Sequence, residues 1–200
     1  MAASDFPSIE PNNINLINTI PTQINRTLSG REMRDIVGAP YYTLTYEFTN
    51  LSEAQRRQIL GHIANARGTL QSFNIKLPTG LDDASGGANG TIAITSGESA
   101  GVLSVDYSKA SAANETVFKA GDYIQFSNHS KIYEVIEDSV STTTTGTVTF
   151  YPPLRTAVTT SDTIGYQNLE VRARYAADPS TEVRNNTFAT VSLELIEVFE

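Results

Sequence analysis

The chain is expected to be mainly β: a discontinuous β-sandwich domain with one α-helix, carrying an inserted small β-barrel. Three observations lead there. Run after run along the chain alternates apolar and polar residues, the period of a half-buried strand. Only one stretch, residues 53–67, carries a clear helical spacing. A glycine-rich segment from Gly80 to Gly90 separates longer alternating runs from a series of short ones, as a linker into an inserted domain would.

Residues 1–12, with Pro7 and Pro11, read as an irregular arm. Ile14, Leu16 and Ile20 then share parity, with Ile17 breaking the pattern, and Pro21-Thr22 ends the run. Ile24 and Leu28 alternate with Gln23, Asn25 and Thr27 up to Ser29-Gly30, which predicts a hairpin of these two strands. The pattern weakens over Met33–Val37 and stops at Gly38-Ala39-Pro40. The clearest strand follows, with Tyr42, Leu44, Tyr46 and Phe48 on one face and Thr43, Thr45 and Glu47 on the other.

Ser52 with Gln55 three residues on forms a capping-box pattern and opens the helix. Ile59, Leu60, Ile63 and Ala66 make its apolar stripe, with Arg56, Arg57 and His62 mostly turned away. Gly68 suits the left-handed position beyond the last turn. Phe73, Ile75 and Leu77 alternate in the next strand, which Pro78 stops.

Five short strands are expected in the insert: Thr91–Thr95, Val102–Tyr107, Asp122–Phe126, Lys131–Ile136 and Thr147–Tyr151. That number of strands in a segment of this length fits an OB-like (oligonucleotide/oligosaccharide-binding-like) barrel, with an SH3-like barrel as the alternative. Ser108–Glu115 has room for a turn or two of helix, and Ser139–Thr145 reads as a low-complexity loop. The chain returns through Leu169, Val171 and Ala173, a turn at Ala177–Ser180, and a polar loop over residues 182–187. The last strand carries Val191, Leu193 and Leu195 on one face. A parity flip at Leu195-Ile196 predicts a bulge there. The returning strands are assigned to the N-terminal sheet, giving domains 1–80 plus 167–200 and 81–166.

Composition narrows the function. The absence of cysteine excludes disulfides and thiolate metal sites. A net charge of −8 argues against binding to a phosphate backbone. No apolar run is long enough to cross a membrane as a helix, and Met1–Pro7 lacks the pattern of a secretory signal. The insert holds ten acids and four bases, whereas the flanks hold nine of the ten arginines. Arginine is enriched at protein interfaces, so Arg56, Arg57 and Arg67 are candidate intersubunit contacts.

Catalytic patterns are missing: there is no phosphate loop and no nucleophile elbow. His62 and His129 have no paired ligand spacing and read as surface or boundary histidines. Asp82-Asp83 and Glu137-Asp138 lack the ligand density of a calcium loop and read as solvated loop acids. Asp122 reads as a turn residue, and Tyr41, Tyr42 and Tyr46 as core and strand-edge aromatics. Tyr123 and Tyr133, on adjacent barrel strands, are the one pair considered for stacking a glycan. Neither an enzyme activity nor a cofactor is expected.

The ordered set Lys119-Ala120-Gly121-Asp122, then Lys131-Ile132-Tyr133-Glu134-Val135, then Tyr151-Pro152-Pro153-Leu154 resembles the inserted barrel of distal tail proteins of long-tailed bacteriophages (siphophages). The flanks agree in order: Ile14-Asn15-Leu16-Ile17, Tyr41–Phe48 before an Arg-bearing helix, Phe73–Pro78, and Ser192-Leu193-Glu194. The resemblance implies a structural virion protein at the tail tip, in a homo-oligomeric, hexameric ring that joins the tail tube protein to the baseplate hub. DNA would pass through its lumen without specific binding. The barrel would project outward, toward tail fibres, receptor-binding proteins or host surface. The alternatives are a carbohydrate-binding adsorption module and a tail-tube or terminator protein.

Overall fold

A computed structural model describes residues 5–81, 83–109, 115–142, 144–178, 181–184 and 188–199. The chain divides into two compact units, residues 1–73 with 173–198, and residues 74–172 with Phe199. Among the described residues the structure is mainly β, with a single helix and a closed barrel, as the patterning indicated.

The first elements are β1 (Asn13–Thr19), β2 (Thr22–Arg26), β3 (Glu32–Ile36), β4 (Tyr41–Leu51), α1 (Glu53–Ala66) and β5 (Phe73–Lys76). The closing elements of the same sheet are β14 (Glu170–Tyr175), β15 (Thr181–Arg184) and β16 (Phe188–Glu197), after eight strands of the insert. The sheet runs β1-β4-β16-β14-β5, with β15 added to β16. β4 lies inside it, between β1 and β16, and buries Tyr42, Leu44, Tyr46 and Phe48. Each such side chain contributes about 1.5–3 kcal/mol on burial.

Helix α1 begins as its sequence dictates. The Ser52 hydroxyl accepts from the Gln55 N–H, and the Gln55 side chain accepts from the Ser52 N–H. Its end is made by two left-handed residues, Arg67 (φ 53°) as the cap and Gly68 (φ 62°) after it. The buried stripe is Ile59, His62 and Ala66, with Leu60 and Ile63 only half-buried. His62 is therefore a core residue, not a surface one. Its Nδ1 lies 2.9 Å from the Tyr175 hydroxyl, and its ring meets Phe73 edge-on at 4.5 Å.

Four other expectations change. β1 pairs with β4, and β2 pairs with β3 in a separate hairpin through Thr27–Gly30, so the weak Met33–Val37 stretch contains a strand and β1–β2 is no hairpin. Thr181–Arg184 is strand rather than loop, while the rest of that polar segment, 185–187, lies outside the described residues. The irregularity in β16 lies between Ala189 and Val191, and pairing runs unbroken through Leu195–Ile196. The parity flip has another cause. Glu197 occupies an inward position beside Leu195, and its Oε2 accepts from the Tyr42 N–H at 2.9 Å. A buried carboxylate there reads in sequence as a polar residue on the wrong face.

The insert adds β6 (Ile92–Ile94), β7 (Ser104–Ser108), β8 (Thr116–Phe118), β9 (Tyr123–Phe126), β10 (Ile132–Val135), β11 (Ser139–Val140), β12 (Thr145–Tyr151) and β13 (Thr163–Gly165). The barrel closes in the order β10-β12-β7-β6-β13-β9, with β9 back on β10. It has six strands where five were expected, because β13 completes the ring between β6 and β9. β11 pairs with β8 outside it, so Ser139-Val140 of the expected loop is strand. Residues 110–114 of the expected helical turn are outside those described. Tyr107, Phe118, Ile124, Phe126, Tyr133 and Phe150 fill the barrel. The glycine-rich stretch joins this packing: Gly87 N–H donates to the Thr116 carbonyl at 2.7 Å, and a Cβ on Gly86 would strike the Val117 carbonyl.

Candidate functional site

The barrel is pinned by the Lys119–Asp122 turn. Gly121 has φ 93°, a region that other residues enter only with strain. Asp122 is buried and holds the turn together. Its Oδ2 accepts from the Lys119 N–H at 2.8 Å, and its Oδ1 accepts from the Ser85 N–H at 3.0 Å and the Ser85 hydroxyl at 2.6 Å. Gly121 N–H donates to the Val135 carbonyl and Val135 N–H to the Asp122 carbonyl, which stitches the turn to β10. Asp122 is thus a turn residue, as read from sequence, and it also anchors the start of the insert. The Tyr151-Pro152 bond is cis, and Leu154 beyond it is buried with its N–H on the Val102 carbonyl.

A family model described as distal tail protein pb9, B domain, matches residues 84–169. Residues 84–169 are thus similar to a distal tail protein B domain. The match encloses both turn partners, Ser85 and Asp122, and all eight barrel-unit strands. This similarity supports a structural role in a phage tail. Among curated proteins none matches the chain.

Other surfaces can be placed residue by residue. Arg57 forms an ion pair with Glu53 one helical turn away and is largely exposed. Arg56 is half-buried, and Arg67 is exposed at the helix end. The β2–β3 hairpin shows apolar side chains on both faces, with Ile24, Met33 and Ile36 more than half exposed.

Tyr123 and Tyr133 do not form a stacking pair. Tyr133 stands opposite Ile124 and is fully buried, whereas Tyr123 stands opposite Glu134 on the other face. Burial, with Glu134 adding to it, pushes the Tyr123 hydroxyl up to about 12. The Tyr133 hydroxyl instead accepts from the Arg155 N–H at 3.0 Å and lies 2.7 Å from His129 Nε2. Asn128 Oδ1 can only accept, so the neutral His129 ring carries its proton on Nδ1, toward that oxygen, and Nε2 accepts from the Tyr133 hydroxyl. Burial lowers the His129 pKa, keeping the ring neutral.

His129 also walls an open cleft of about 350 Å³, with Asn74, Gln125, Asn128, Ser130 and Glu170 around it. These residues are scattered from position 74 to 170, and no spacing in the sequence marks them as a set. Asp83 accepts from the Gln167 side chain, Glu137 from the Thr149 hydroxyl and Asp138 from the Ala120 N–H, while Asp82 lies outside the described residues. Among the described residues no group of three His, Asp or Glu side chains could hold a metal ion, and no helix is long and apolar enough to cross a membrane.

Proposed function

We propose that the protein forms a homo-oligomeric, hexameric ring at the tail tip, joining the tail tube protein to the baseplate hub while DNA passes through the lumen. The match of residues 84–169 to a distal tail B domain carries this reading. The β2–β3 hairpin supports it. An isolated two-stranded hairpin is marginal in water, and one that exposes Ile24, Met33 and Ile36 gains most of its stability by packing on a second copy of this chain. The arginines Arg56, Arg57 and Arg67 contribute to the same intersubunit contact. In this arrangement the barrel faces outward and supports tail fibres or receptor-binding proteins.

The test is the doubly charged variant Ile24→Asp/Ile36→Asp. Both side chains are exposed, so the subunit should keep its circular dichroism spectrum and melting point while light scattering shows loss of the ring. An intact ring in this variant contradicts the assigned contact. Substituting Arg56, Arg57 and Arg67 together by Ala should weaken assembly in the same assay.

A further inference from the structure

We propose that the cleft beside the β9–β10 turn binds a neutral saccharide unit, which gives the barrel a ligand-binding role separate from ring building. The cleft volume, about 350 Å³, is at the lower end of the range of small-molecule sites. Its chemistry selects the ligand class. No lysine or arginine is among the lining residues, so a phosphate or sulfate group meets no countercharge and faces the Glu170 carboxylate. Apart from Gly165 and the buried Phe126 every lining residue is polar, so a lipid chain finds no aliphatic side chain to pack against. Hydroxyl-bearing, uncharged ligands remain, and saccharides are the common ones.

The donors and acceptors are divided in a way that suits them. Gln125 is committed to the backbone of Glu170: its Nε2 donates to the Glu170 carbonyl at 2.7 Å, and its Oε1 accepts from the Glu170 N–H at 3.5 Å. That clamp fixes the backbone bearing Glu170, and among the described residues no hydrogen bond is made to the Glu170 carboxylate. Asn74 accepts from Arg172 Nη1 through Oδ1, leaving its Nδ2 donor for a ligand. Ser130 adds an exposed hydroxyl. A carboxylate that accepts from two vicinal hydroxyls, with an amide donor nearby, is a general means of holding a sugar ring. The His129 ring supplies a flat face. It stacks on Phe126 with centroids 5.8 Å apart at 25°, and both its nitrogens are engaged, by Asn128 and Tyr133. The face is therefore preorganised and costs little ordering on binding.

The experiment is a titration of the full chain with glucose, galactose, mannose and N-acetylglucosamine at millimolar concentrations, followed by amide chemical shifts in two-dimensional NMR. At least one sugar should shift the amides of Asn74, Gln125–Ser130, Gly165 and Glu170. Glu170→Gln should weaken binding about tenfold, the scale of one lost charge-assisted hydrogen bond. Inorganic phosphate should produce no matching shifts. The absence of shifts with every sugar, an unchanged affinity in Glu170→Gln, or equal binding of phosphate would each overturn the proposal. The ring-building contacts lie on other residues, so loss of sugar binding leaves the oligomer unchanged.

Discussion

Replacing Asp122 by Ala should loosen the barrel unit more than any other single change in its turns. The carboxylate receives three hydrogen bonds, from the Lys119 N–H, the Ser85 N–H and the Ser85 hydroxyl. Bonds to a charged acceptor are worth about 1.5–3 kcal/mol each in full. Here Ser85 and Lys119 belong to exposed positions, so water re-satisfies part of what is lost, and about 2–4 kcal/mol is expected for the set. For a unit of this size that lowers the melting midpoint by about 10–20 °C. Far-UV circular dichroism melts of the full chain measure it. A double-mutant cycle separates the anchor from general damage. Ser85→Ala should cost about 1 kcal/mol in the native background and close to nothing in Asp122→Ala. Coincident melts for Asp122→Ala and the native chain, or a Ser85→Ala cost that persists without Asp122, would refute the anchoring role.

Other residues give independent outcomes. Glu197→Ala removes the acceptor of the buried Tyr42 N–H and should cost about 2–4 kcal/mol in urea unfolding; a cost below about 0.5 kcal/mol contradicts the inward placement. Ile59→Ala empties a fully buried position on α1 and should cost about 2–5 kcal/mol, whereas Arg57→Ala breaks only an exposed ion pair and should stay within about 0.5 kcal/mol. Burial lowers the His129 pKa from 6.5, with Asp162 opposing and Lys131 reinforcing the shift. The folded state therefore binds fewer protons than the unfolded one, and the contribution present above 6.5 is lost as the pH falls below it. The native chain should lose more stability on acidification than His129→Asn does; equal pH profiles in urea titrations would show that His129 is not so coupled.

The sequence was informative wherever one side of an element is uniformly buried. The alternation from Tyr42 to Phe48 is complete because β4 sits inside the sheet with one face on the core. The capping box of α1 is local chemistry, so Ser52 and Gln55 reveal it without tertiary information. The Lys119–Asp122 turn is legible for the same reason. β3 escapes because its faces are largely exposed, which weakens the period-two signal, and β2, legible as a strand, is exposed throughout, so no buried face marks its true partner. β13 spans only Thr163–Gly165, too few side chains to show a period, and that hid the sixth barrel strand. His62 and Glu197 misled for a common reason. Each is a polar residue buried with a specific partner, the Tyr175 hydroxyl and the Tyr42 N–H, and a hydrophobicity pattern cannot register a satisfied polar group. The cleft residues were invisible because β9, β13 and the segments bearing Asn74 and Glu170 meet only in the folded unit.

Light scattering on the purified full chain, followed by negative-stain imaging of the same sample, tests the central claim most directly. The account predicts a mass several times that of the 21.7 kDa chain and ring-shaped particles with a central opening. A single species of monomer mass at every concentration, with no rings in the images, would contradict it.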